Sequence, residues 1–60
     1  MRIHYDPSIV YSVATLANYW QVDEELIREL IRKGKLAAFK VGREWRITDK
    51  VVREFEGATA

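Results

Sequence analysis

The chain has 60 residues, a formal net charge of +1, 48% hydrophobic and 12% aromatic side chains, and no cysteine. That is one domain, and a chain so short buries only ~60% of the surface its unfolded form exposes. With His4 the only histidine, neither a disulfide framework nor a zinc cluster is available, so apolar packing must build the core.

Arg2-Ile3-His4-Tyr5-Asp6 alternates briefly and then meets the turn signal Asp6-Pro7-Ser8, giving an arm or a short edge strand over residues 1–10. No apolar run there resembles a leader, and no later stretch approaches membrane-spanning length. Ser12 is a favoured N-cap, with Tyr11 before it and Leu16 after it spaced as a hydrophobic staple. Val13, Leu16, Ala17 and Trp20 follow at i, i+3, i+4 and i+7, the spacing of one helical face. A second helix starts almost at once. Asp23 caps it, Glu24 and Glu25 suit the positive end of its dipole, and Ile27, Leu30 and Ile31 form its apolar stripe. Arg32 and Lys33 favour its last turn and Gly34 its C′ position. Two short helices separated by about three residues are the helix-turn-helix pattern.

Beyond Gly34 the period changes from 3.6 to two. Phe39 and Val41 alternate with Ala38 and Lys40, and Trp45 and Ile47 flank Arg46. Gly42-Arg43-Glu44 between them predicts a two-stranded hairpin, too small to stand without the helices. A last helix starts at Thr48 or Asp49, carries Val51, Val52 and Phe55, and is expected to stop at Gly57, leaving 58–60 as a frayed tail. The predicted fold class is α+β, mainly α, with the domain over residues 11–57.

The run Leu30-Ile31-Arg32-Lys33-Gly34-Lys35-Leu36, then Ala38-Phe39-Lys40-Val41-Gly42-Arg43, then Trp45-Arg46-Ile47 resembles the excisionase-type helix-turn-helix family, a small relative of the MerR-type winged-helix regulators. The resemblance extends from Tyr11 to Phe55. It implies a winged helix-turn-helix that binds duplex DNA, with the second helix in the major groove and the wing along the adjacent backbone or minor groove. By position, the second helix would present Glu24, Glu25, Arg28, Glu29 and Arg32, and the wing Lys40, Arg43 and Arg46. It further implies a role in recombination directionality or transcription. The family usually has Ser or Thr followed by Arg where this chain has Asp23, Glu24 and Glu25, and often glycine in the turn where this chain has Gln21.

Charge distribution bears on that expectation. From Asp23 to Lys33 four acids outnumber three bases, whereas from Lys35 to Ile47 four bases meet one acid, Glu44. Positive charge therefore concentrates on the wing, with Arg28, Arg32 and Lys33 extending it along the second helix. Arginines there suit bidentate phosphate contacts or a narrow minor groove. The plain alternative is a solvated surface that keeps a small protein soluble. Leu26 lies off the apolar stripe, either as a scattered surface leucine or as a protein contact. The second choice, joined to the acidic helix start, defines an alternative function as a protein-interaction module. Trp20 and Trp45 fall in core phases rather than on a stacking platform. No nucleophile–base pair or phosphate loop is present, so no enzyme, cofactor or metal is expected. Partners expected are duplex DNA, adjacent copies on it, and a recombinase or other protein, in the cytoplasm on the nucleoid.

Overall fold

The computed structural model describes residues 9–59, with side chains through Ala58. The arm or strand expected within residues 2–6 and the turn Asp6-Pro7-Ser8 lie outside the described residues. The chain order is β1 (Val10–Ser12), α1 (Val13–Trp20), α2 (Glu24–Arg32), β2 (Phe39–Val41), β3 (Glu44–Thr48) and α3 (Asp49–Thr59). This is an α+β, mainly helical architecture, and it is a small winged helix-turn-helix.

Each helix begins where its cap chemistry dictates. Ser12 stays extended and its Oγ accepts from the Thr15 N–H at 3.0 Å, the reciprocal of the free donors in a first helical turn. Asp23 holds the matching position before α2 but makes no side-chain cap bond, so its carboxylate and those of Glu24 and Glu25 act through the helix dipole. Thr48 Oγ1 accepts from the Val51 N–H at 3.3 Å, which starts α3 at Asp49.

Both helices of the helix-turn-helix end in the same way. At the end of α2, Gly34 takes φ +75°, its N–H donates to the Ile31 carbonyl, and Lys35 N–H donates to the Leu30 carbonyl. At the end of α1, Gln21 takes φ +60°, with Gln21 N–H on Asn18 and Val22 N–H on Ala17. These are paired Schellman closures, and each sends the next apolar residue, Val22 or Leu36, back onto the core. Gly57 does not stop α3, which continues to Thr59. A glycine inside a helix costs about 1 kcal/mol, and nothing following it forces a turn.

The sheet is larger than the expected hairpin. β1 pairs antiparallel with β3, with Tyr11 opposite Ile47 and Ser12 opposite Arg46, and β2 pairs with β3, with Phe39 opposite Arg46 and Lys40 opposite Trp45. The order is β1-β3-β2. Residues directly opposite project from the same face. Tyr11, Ile47, Trp45 and Lys40 therefore share one face, while Ser12, Arg46 and Phe39 share the other. The apolar phases of the two hairpin strands thus point in opposite directions, leaving Phe39 and Val41 exposed.

Leu16, Ile27, Leu36, Ile47 and Val52 are fully buried, one from each helix, one from β3 and one from the stretch between α2 and β2. Trp20 and Trp45 pack against that cluster, as the helical and strand phases predict, and Tyr11 of β1 joins them. Two polar ties hold α3 in place. Trp20 Nε1 donates to Glu56 Oε2 at 2.7 Å beside a stacked Trp20–Phe55 pair. Buried Asp49 accepts from Tyr11 Oη at 3.0 Å and from Arg53 Nε at 3.1 Å, while its N–H reaches the Ile9 carbonyl.

Candidate nucleic-acid interface

With 100° of rotation per residue, the exposed part of α2 divides into a front and two flanks. Ile27 points into the core. Glu25, Glu29 and Arg32 occupy the front, Glu24 and Arg28 the flank facing the wing, and Leu26 and Leu30 the flank facing α3. Glu24 and Arg28 line a cleft of ≈ 320 Å³ together with Ser12, Val13, Ala14, Arg43, Glu44 and Trp45. The start of α1, the middle of α2 and the wing turn therefore meet around one concavity. Gly42, with φ +64°, allows the tight turn that carries Arg43 to its edge. Lys40 Nζ lies 4.9 Å from the centre of the ring of Trp45, itself a cleft residue, a cation–π placement.

The expected site residues separate into two groups in this frame. Arg28 and Arg43 are brought together around the cleft, and Lys40 reaches it only through its contact with Trp45. Arg46 projects from the opposite face of β3, where its Nη1 reaches Glu44 Oε1 at 3.3 Å and the Trp45 carbonyl at 3.2 Å. The wing thus offers its cations on two sides rather than one.

The cations of α2 are already engaged. Arg28 meets Glu24 at 3.0 Å and Glu25 at 3.5 Å; Arg32 meets Glu25 at 2.7 Å and also Glu29; Lys33 meets Glu29 at 3.6 Å. The hydrogen bond from Arg32 holds the Glu25 carboxyl below its usual range, and the bonds that Arg32 donates to Glu25 and Glu29 push its guanidinium up. Most of these contacts follow i,i+3 and i,i+4 spacings written in the sequence. Among the described residues, Lys35 and Arg43 form no ion pair with any acid. Exposed ion pairs are worth ~0–1 kcal/mol each, so a phosphate of similar charge can replace a glutamate at modest cost.

The cleft includes Ser12 of β1, a strand that no periodicity announces, and Ala14 of α1. Leu26 is also placed by the structure: 46% exposed, it lines a separate apolar groove of ≈ 450 Å³ with Trp20, Val22, Leu30, Phe55 and Glu56. Among the described residues no group of three acids, histidines or cysteines is arranged to hold a metal, and no helix is long and apolar enough to cross a membrane.

Two capped helices at a tight turn, followed by a hairpin and a supporting helix, define a winged helix-turn-helix module, a fold that supports DNA binding in general. A family model described as a helix-turn-helix domain matches residues 10–56, and the chain belongs to that family. No curated protein and no solved structure matches it.

Proposed function

We propose that the chain is a non-catalytic binder of duplex DNA that acts on the nucleoid as an excisionase-like recombination directionality factor or a small transcription regulator. The front of α2, with Glu25 and Arg32, enters the major groove, and the wing follows the adjacent backbone. The single observation that carries this reading is the shared cleft: Arg28 from α2 and Arg43 from the wing turn border it beside Glu24 and Glu44, with Lys40 against the Trp45 ring. A phosphate there gains two guanidinium partners from different elements. Affinity for DNA is largely electrostatic, and Glu24, Glu25 and Glu29 reduce it by holding Arg28, Arg32 and Lys33. One copy therefore binds weakly, and adjacent copies or a recombinase supply the rest through effective concentration.

Titrating the chain against a duplex at several salt concentrations tests this. Arg43→Ala lowers affinity and flattens the salt slope by about one; Lys40→Ala acts in the same direction. Arg46→Ala has the smaller effect, because its guanidinium lies on the other face. Unchanged affinity and slope for Arg43→Ala removes the wing from the interface.

One observation favours a second reading, a protein-interaction module: every cation of α2 is already balanced by a carboxylate of the same helix. In that case wild-type binding to duplex DNA is absent even at low salt.

A further inference from the structure

The flank of α2 that faces away from the cleft carries a pattern that the DNA reading does not use. Asp23, Leu26, Leu30 and Lys33 are three, four and three residues apart, which places them within ~80° of one another on the helix. The order is acid, leucine, leucine, base, so the stripe reads the same backwards once the charges are exchanged. Asp23 makes no cap bond that would occupy it, and Lys33 has only a 3.6 Å contact with Glu29. Leu26 and Leu30 also form one wall of the groove whose other wall is Trp20, Val22 and Phe55. Leu26 stands 46% exposed at its edge.

We infer that this stripe is a self-association surface, in which two copies pair their α2 helices antiparallel about a two-fold axis and each inserts Leu26 into the groove of the other. Such an isologous contact must be self-complementary. The antiparallel register sets Asp23 against the partner's Lys33, Leu26 against the partner's Leu30, and the reverse. A parallel register would oppose like charges at both ends. Two α2 flanks bury less than the ~1,200 Å² of a stable interface, so the dimer dissociates with a Kd of about 10⁻⁴ M. The proposal stands apart from DNA binding, since Arg28 lies ~160° around the helix from Leu26.

Sedimentation equilibrium of the full chain from about 10 µM to about 1 mM is the test, without DNA and at low salt. The wild type shows a monomer–dimer equilibrium. Leu26→Gln weakens it at least about tenfold, because an amide replaces the inserted apolar side chain. Asp23→Lys and Lys33→Asp each weaken it about fivefold or more by opposing like charges, and an equimolar mixture of those two variants recovers the wild-type constant. The mixture decides the matter even if Leu26→Gln disturbs folding. A wild type that stays monomeric throughout assigns the groove to some other occupant and overturns the proposal. So does a dimer indifferent to both charge variants, or a mixture no better than its parts.

Discussion

Gln21 is the described residue outside glycine that adopts a left-handed backbone, at φ +60°. Its position at the end of α1 demands that conformation, which costs an L-residue roughly 1–2 kcal/mol. Its side chain offsets part of the cost by donating from Nε2 to the Asn18 carbonyl at 2.8 Å. Glycine adopts the same backbone freely but loses more entropy on folding. Gln21→Gly should therefore stabilise the fold by about 0.5–1 kcal/mol, read as a higher urea midpoint at unchanged slope. The sequence identified Gln21 as a departure from a turn glycine, but the strain at this residue is visible only in its dihedral angle.

At the scale of elements, α2 is governed by its own charges. Glu25 touches both Arg28 and Arg32, so Glu25→Gln removes one of the two carboxylates that hold each guanidinium, leaving Glu24 and Glu29 in place. Non-specific duplex binding should become tighter, and the salt slope steeper by about one, in the same titration used for Arg43→Ala. The local sequence made the helices legible, because caps and 3.6-residue spacing are local properties. Ser12, Leu16, Ile27 and Gly34 each announced its role. The strands were less so. Val10-Tyr11-Ser12 is too short to show alternation, and its pairing with β3 is a long-range event. The relative phase of β2 and β3 depends on register, so the opposite orientations of Lys40 and Arg46 could not be read from two alternating runs. For the candidate site, the residue types were visible and their grouping was not.

For the whole molecule, the tie between β1 and α3 controls the response to alkali. Burial, followed by the hydrogen bond to Asp49, pushes the Tyr11 phenol up from 10.0 to about 12. The folded state thus favours the neutral phenol. Its contribution to stability is complete below pH 10 and is lost as pH rises through about 12, where the folded protein also ionises. Tyr11→Phe should cost about 1.5–3 kcal/mol at neutral pH, as expected for a bond to a charged group. It should also flatten the decline between pH 10 and 12, measured by urea unfolding at a series of alkaline pH values. An unaltered alkaline profile in Tyr11→Phe would assign the sensitivity to another group.

Two junctions of this small domain contain no connecting loop: α1 begins at Val13 directly after Ser12 of β1, and α3 begins at Asp49 directly after Thr48 of β3. One residue added at either point would rotate the following helix by ~100° and turn Leu16 or Val52 out of the interior. Length variation is consequently directed to the connections that do exist, above all the hairpin tip at Gly42-Arg43 and the stretch between α2 and β2. A longer hairpin tip extends the domain's reach without altering its interior, so relatives or engineered variants that differ in size should differ there first.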